Sequence, residues 1–167
     1  MAQDPNGKDH AVALTHSATI RETTSAPADR VWAIIADGWT YGAWVVGASR
    51  VRSVDEAWPA VGATLHHSVG VWPLVRDDVT SVLEVESGRR LLLAARVHPV
   101  GTQAVELTIT PSGEGSIVTM REEVTHGPLR LVPRRLRQVG LTLRNREAVR
   151  RLCLLAARSP DDAREGR

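Results

Sequence analysis

Two strand-like segments each carry one ionisable residue on a face that is otherwise apolar. Side chains two residues apart lie on the same face of a strand, so His67 shares a face with Leu65 and Val69, and Glu122 shares one with Met120. An imidazole and a carboxyl group in an apolar pocket are suited to general acid–base chemistry, such as enolising a carbonyl during a cyclisation or dehydration. The catalytic hypothesis is therefore that His67 and Glu122 act as acid and base.

Two other interpretations of these residues stay open. A buried histidine–glutamate pair is often only a satisfied polar contact, and either residue can line a binding pocket without doing chemistry. Arg96 lies on a later strand, where its guanidinium could clamp a ligand carboxylate or phosphate in bidentate fashion. The alternative for Arg96 is a solvated surface position. The sequence thus leaves enzyme and binding protein as competing classes.

Scarce aromatic residues cluster in one glycine-containing stretch, residues 36–47. The chain has five Trp, one Tyr and no Phe, and three of these six lie in that stretch. We interpret them as a gate over an apolar cavity, hinged at the glycines; the alternative is that Trp44 and Trp32 fill the core and Tyr41 is half-exposed. The predicted ligand-binding residues are Trp39, Tyr41, Trp44, Leu65, Val69, Arg96 and Met120.

No motif for a metal or cofactor is present in the sequence. His66 and His67 are adjacent on a strand, so they point to opposite faces and cannot chelate one ion together. HxH, HExxH, CxxC, GxSxG and glycine-rich phosphate loops are all absent. The sequence predicts neither metal nor cofactor. The single cysteine, Cys153, lies in the apolar stretch LCLLAA and is expected to be a buried, inert thiol in a reducing compartment.

Length and composition indicate one globular domain. The chain has 167 residues, of which 43% are hydrophobic and 24% charged. The lack of a long apolar run and of a signal-peptide pattern predicts a cytoplasmic protein. We expect a disordered tail at 1–10, a single domain at 11–158 and a frayed tail at 159–167.

The order of predicted elements is that of an α+β protein with an antiparallel sheet. A first strand at 12–24 precedes a helix that ends at Gly38 and a short helical lip. Six strands separated by turn residues follow, at 48–54, 63–71, 78–86, 90–97, 103–110 and 116–125. A long helix at 133–158 closes the chain, and its predicted apolar face is Leu136, Val139, Leu143, Val149, Leu152 and Ala156.

The C-terminal helix is rich in arginine. This composition fits an anionic partner, such as a membrane touched transiently while a lipid is loaded. It also fits a solvated outer face, because the net charge of the whole chain is only +2. We expect no nucleic acid partner, since no aromatic residues are interleaved with the arginines.

Several segments, taken in order, resemble one protein superfamily. They are residues 26–32 (APADRVW), Trp44, the turn at 84–91 (EVESGRRL) and the long C-terminal helix. Over roughly residues 12–157 the chain resembles the SRPBCC superfamily, the START-like or helix-grip fold. It is most similar to the bacterial branch of polyketide cyclases/dehydrases and lipid-transport proteins. The resemblance implies a curved antiparallel sheet of about seven strands around the C-terminal helix, with two short helices after the first strand.

The resemblance also implies a cavity between the sheet and the C-terminal helix. The leading hypothesis is a binder or carrier of a hydrophobic small molecule: a lipid, an isoprenoid or a polyketide-like compound. The first alternative is a polyketide cyclase or dehydratase that uses His67 and Glu122. The second is a partner-binding module that presents the arginine-rich helix. The ligand and the oligomeric state are not fixed by the sequence.

Overall fold

Seven antiparallel strands form one continuous sheet. The computed structural model describes residue 14 and residues 18–70, 72–73, 75–97 and 101–158. The strands are β1 (Ala18–Thr24), β2 (Ala48–Val54), β3 (Thr64–Val69), β4 (Arg76–Glu86), β5 (Arg90–Val97), β6 (Gly101–Ser112) and β7 (Gly115–His126). Their spatial order is β1-β7-β6-β5-β4-β3-β2. Six strands therefore form a meander, and β1 joins it beside β7.

The helices lie between β1 and β2 and at the end of the described chain. They are α1 (Ala28–Ala36), a 3₁₀ turn (Gly38–Thr40), α2 (Tyr41–Trp44), a second 3₁₀ turn (Pro128–Leu131) and α3 (Arg134–Ala157). The predicted α+β helix-grip fold is confirmed, including the short helical lip before β2. The predicted tails at 1–10 and 159–167 lie outside the described residues, as do residues 12, 13 and 15–17 of the predicted first strand.

The core fills the space between the sheet and the helices. Helix α3 packs on β1, β7 and both short helices. Its buried side chains meet those of the sheet and α1 in one cluster, which includes Val31, Ile35, Leu65, Leu93, Leu107, Val118, Val149 and Leu152. Burial of these side chains is the main favourable contribution to folding. None of the described helices is long and apolar enough to cross a membrane.

The predicted apolar face of α3 is wrong in its first half. Leu136, Val139 and Leu143 are 68%, 60% and 66% exposed, whereas Val149 and Leu152 are fully buried. Each residue advances about 100° around a helix, so the six-residue step from 143 to 149 turns about 600° and ends on a different face. The prediction merged two separate stripes, of which only the second faces the core.

One end of the sheet gathers several chain connections. Because the strands are antiparallel, β3, β5 and β7 end there, and β4 and β6 begin there. The strand β6 begins at Gly101, where a Cβ atom would lie 1.8 Å from the carbonyl oxygen of His126. Only glycine permits this close approach between β6 and β7. Helix α3 begins at the same end, since it follows β7 after a short connection.

Candidate functional site

A cavity lies between the sheet, α2 and the middle of α3. Water-sized molecules can reach about 60 Å³ within it, and its whole empty space, with the mouth open to solvent, is about 610 Å³. The lining residues are Tyr41, Trp44, Val45, Val46, Gly47, Ala48, His67, Val69, Leu93, Ala95, Gln103, Val105, Met120, Glu122, Arg144, Asn145 and Ala148. The inner volume holds only a few water molecules, so a larger ligand must occupy the mouth or displace the lip formed by α2.

A chain of hydrogen bonds joins three buried side chains at the β3–β4 side of the cavity. The Thr80 hydroxyl lies 3.0 Å from Nε2 of His67 and 3.2 Å from the Tyr41 hydroxyl. The Tyr41 and His67 rings are also in contact, with centroids 5.0 Å apart. Trp44 meets the other side of Tyr41 edge-on, with centroids 5.5 Å apart. These contacts fix the orientation of three cavity-lining rings.

An ion pair with a buried carboxylate lines the cavity where β7 and α3 meet it. The Arg144 guanidinium donates to Oε1 of Glu122, whose side chain is 1% exposed. The same guanidinium lies 3.4 Å from Oε1 of Gln103 and 3.4 Å from Oδ1 of Asn145. Strands β6 and β7 and helix α3 thus contribute one polar cluster, in which one cation and one anion are paired.

Burial shifts the pKa of two residues in the hydrogen-bonded chain. It lowers the pKa of His67 below its usual value, a shift that the Asp78 carboxylate partly opposes. The imidazole is therefore neutral at pH 7. Burial also raises the pKa of Tyr41, and its hydrogen bond to Thr80 partly offsets the rise. The Tyr41 side chain is accordingly a phenol, not a phenolate.

Several cavity-lining side chains carry buried polar atoms that have no hydrogen-bond partner within the described part of the chain. These atoms are Nε1 of Trp44, Nδ1 of His67, Oε2 of Glu122 and Nδ2 of Asn145. All four residues are at most 3% exposed. Unsatisfied buried polar groups each cost about 1–3 kcal/mol, and four of them around one cavity are typical of a site that a polar ligand or water completes.

The structure brings together most of the predicted site residues. His67 and Glu122 are buried on the strand faces expected from the alternation, and both line the cavity together with Tyr41, Trp44, Val69 and Met120. Leu65 is not among the lining residues; it is fully buried in the core cluster. Trp39 is 61% exposed on the outside of the lip. Arg96 is also exposed, because its neighbour Ala95 occupies the cavity face of β5.

Sequence reasoning missed three polar members of the site: Gln103, Arg144 and Asn145. Gln103 is buried near the start of β6, on the same face as Val105, which also lines the cavity. Asn145 lies three residues before Ala148 and four before Val149, so it extends the buried stripe of α3. A polar residue in register with that stripe was the signal available in the sequence. Arg144, the neighbour of Asn145, can be assigned to the site only when the rotation of α3 against the sheet is known.

Most arginines of α3 whose side chains are described have acidic partners. Besides the pair with Glu122, Arg146 lies 3.8 Å from Glu22, and Arg150 and Arg151 lie 3.4 Å and 2.8 Å from Glu147. The positive charge of the second half of the helix is thus largely compensated. On the same helix, burial raises the pKa of the Cys153 thiol to about 11. The thiol is protonated at pH 7, as an inert cysteine should be.

Comparison with known families places this fold and cavity in context. A sequence profile of the family described as polyketide cyclase / dehydrase and lipid transport matches residues 15–152. The chain belongs to this family. The predicted SRPBCC relationship is confirmed by that match, which covers most of the chain. No curated protein sequence matches the chain significantly.

Solved structures of the same fold span nearly the whole family domain. Protein CV1439 from Chromobacterium violaceum superposes with a TM-score of 0.65 at 17% identity, covering 86% of this chain and 99% of its own. Ara h 8.0201 gives 0.65 at 9% identity, with 84% and 97% covered. The di-domain ARO/CYC protein StfQ from the steffimycin biosynthetic pathway gives 0.67 at 12% identity, with 90% and 52% covered. At these identities the likeness shows the fold alone.

Proposed function

We propose that this protein binds and carries a hydrophobic small molecule, of the lipid, isoprenoid or polyketide-like type, in the cavity between the sheet and α3. The observation that carries the proposal is the mixed lining of that cavity. Apolar side chains from the sheet, α2 and α3 provide the surface, and buried polar atoms of Trp44, His67, Glu122 and Asn145 have no hydrogen-bond partner among the described residues. Small-molecule sites combine an apolar lining with a few convergent polar groups in this way.

A native mass spectrum of the protein, purified gently from its own host, tests the proposal. We expect an extra mass that disappears on denaturation, and a hydrophobic probe should quench tryptophan fluorescence because Trp44 lines the cavity. The variant Ala148→Leu fills the cavity and should lose both signals. Ala157→Leu is the matched control, since Ala157 is exposed on the same helix. A protein that is always bare, and that no hydrophobic probe quenches, would contradict the proposal.

Catalysis at the same cavity is the second candidate function. The observation in its favour is the neutral imidazole of His67, which can accept a proton, in a cavity that also contains the Glu122 carboxylate. Incubation of the protein with its co-purified ligand, followed by mass spectrometry over time, distinguishes an enzyme from a carrier. If the pair is catalytic, His67→Ala and Glu122→Gln abolish turnover and largely spare affinity. A ligand that stays unchanged excludes catalysis on that ligand.

We further propose that the end of the molecule where β3, β5 and β7 end and α3 begins contacts membranes transiently in the cytoplasm. The outward stripe of α3 exposes Leu136, Val139 and Leu143, and Trp72, 85% exposed, lies at the same end of the sheet. Residues 124–146 contain six arginines and no acidic residue. An exposed apolar stripe flanked by arginine is typical of segments that lie in the interface of an anionic bilayer.

Co-sedimentation with vesicles tests the membrane contact. The protein should sediment with vesicles that contain phosphatidylserine, less with phosphatidylcholine alone, and less in about 1 M than in about 0.1 M salt. Replacing Leu136 and Leu143 by serine should abolish sedimentation. Leu154→Ser is the matched control, because Leu154 is exposed on the second half of the same helix. A dimer in solution that the double variant dissociates would instead identify the stripe as a contact between two copies.

A further inference from the structure

The described residues that line the cavity carry no net charge. Among them, Arg144 and Glu122 form an ion pair. His67 is neutral at pH 7, because burial lowers its pKa, and the Tyr41 phenol keeps its proton. The described lining is therefore neutral overall, because Glu122 balances the charge of the Arg144 guanidinium.

The buried cavity-lining atoms without a hydrogen-bond partner among the described residues include both donors and an acceptor. The Trp44 indole N–H can only donate, and Nδ2 of Asn145 also donates. Oε2 of Glu122 can only accept while the carboxylate is ionised. A ligand that completes both groups must bring an oxygen that accepts and a hydroxyl that donates. A single alcohol or phenol oxygen has both capacities, since it carries one O–H and two lone pairs.

A carboxylate fits the same cavity poorly. It has no proton to give to Glu122, and it would place a second negative charge beside that buried carboxylate. It would also have to share Arg144 with Glu122, so that two carboxylates would lie at one guanidinium beside a largely apolar lining. A neutral hydroxyl incurs neither penalty.

We propose that the cavity selects uncharged, hydroxyl-bearing apolar molecules over carboxylates of the same shape, with Glu122 setting this selectivity by balancing the charge of Arg144. The inference rests on the proposed binding function and narrows it to one ligand chemistry. It makes Glu122 a specificity-determining residue. Removing its charge frees the guanidinium, so Glu122→Gln should reverse the preference.

A matched pair of probes tests the inference: 2-naphthol, which is neutral at pH 7, and 2-naphthoate, which is an anion of similar shape. Binding is measured by calorimetry and tryptophan quenching. The wild-type protein should bind 2-naphthol at least about tenfold more tightly, a difference of about 1.4 kcal/mol. In Glu122→Gln, 2-naphthoate should become the tighter ligand. Glu147→Gln is the matched control, since it breaks arginine contacts on the same helix outside the cavity and should leave both affinities unchanged.

A second variant keeps the test decisive if Glu122→Gln does not fold. Arg144→Gln leaves the Glu122 carboxylate uncompensated, so it should weaken the binding of 2-naphthoate further, opposite in sign to Glu122→Gln.

Equal affinities for the two probes, or a preference for 2-naphthoate in the wild type, would overturn the charge selection and leave the binding function intact. If neither probe binds, the co-purified ligand decides: a neutral alcohol or phenol supports the inference and a carboxylic acid overturns it. A protein without any ligand overturns the binding function itself.

Discussion

At the scale of single residues, alternation along strands was a sound guide to the cavity. It placed His67 and Glu122 on inward faces, and burial of both agrees. It could not supply Arg144, the partner of Glu122, because the pairing depends on how α3 rotates against β7. Nor could it recognise Arg96 as exposed, because apolar residues occupy both faces of β5. Local rules predict orientation within an element, and contacts between elements require the fold.

His67 makes stability depend on pH in a defined direction. Burial lowers its pKa in the folded protein, and the unfolded value is about 6.5. Between the two values the unfolded chain binds more protons, so the free energy of unfolding falls as the pH drops below about 6.5 until the lowered value is passed. Urea unfolding at a series of pH values measures this slope. The variant His67→Gln should show a shallower fall, and identical slopes would contradict the prediction.

Two glycines should respond oppositely to the same substitution. A Cβ at Gly38 would lie 2.6 Å from Cγ1 of Val54, too close for any contact, so Gly38→Ala should destabilise the protein by about 1–3 kcal/mol. Gly140 lies inside α3, and a Cβ added there would meet nothing within 4 Å. Gly140→Ala should therefore stabilise the protein by about 0.5–1 kcal/mol. Chemical denaturation measures the free energy of unfolding of both variants. A stabilised Gly38→Ala would mean that Gly38 is a flexible hinge rather than a packing position.

At the scale of elements, α3 has two apolar stripes with different roles. The stripe that begins at Asn145 packs on the sheet, and the one from Leu136 to Leu143 faces outward. The six-residue gap between Leu143 and Val149 was visible in the sequence and should have separated them, because packed helix positions recur every three or four residues. Whether the apolar stripe of each half of α3 faces the core or the solvent could not be predicted without the position of the sheet.

Replacing leucine by alanine should lower the free energy of unfolding by different amounts in the two stripes. Leu152 is fully buried, so Leu152→Ala should cost about 2–5 kcal/mol in the free energy of unfolding. Leu143 is 66% exposed, so Leu143→Ala should stay within about 0.5 kcal/mol of the wild type. Leucine and alanine both favour helices, so helix propensity does not obscure the comparison. Equal losses in urea unfolding would mean that the outward stripe is covered in solution.

At the scale of the whole molecule, turn residues and the order of the elements predicted an α+β protein with an antiparallel sheet, and the family resemblance added the helix-grip arrangement. The predicted breaks at 87–89 and 111–115 contain the turns of two hairpins, and every predicted strand overlaps one in the sheet. The size of the cavity could not be predicted in this way. It depends on how far α3 stands from the sheet, which is the sum of many side-chain contacts between distant segments.

Ligand binding should be visible as stability of the whole domain. A ligand at a hundred times its dissociation constant, bound only by the folded state, raises the free energy of unfolding by about 2.7 kcal/mol. We expect 2-naphthol to raise the melting temperature accordingly, and the cavity-filled variant Ala148→Leu to show no such rise. An equal rise in both proteins would place the probe outside the cavity.

The hydrogen bonds between Tyr41, Thr80 and His67 have a consequence for the range of ligands. If Tyr41 donates to Thr80 and Thr80 donates to Nε2 of His67, the imidazole proton lies on Nδ1, which then donates. If every donor in the chain reverses, Nε2 carries the proton and Nδ1 accepts. The switch moves only hydrogen atoms. A rigid cavity wall can thus present either of two tautomers, and carbonyl and hydroxyl groups can be accommodated at the same position.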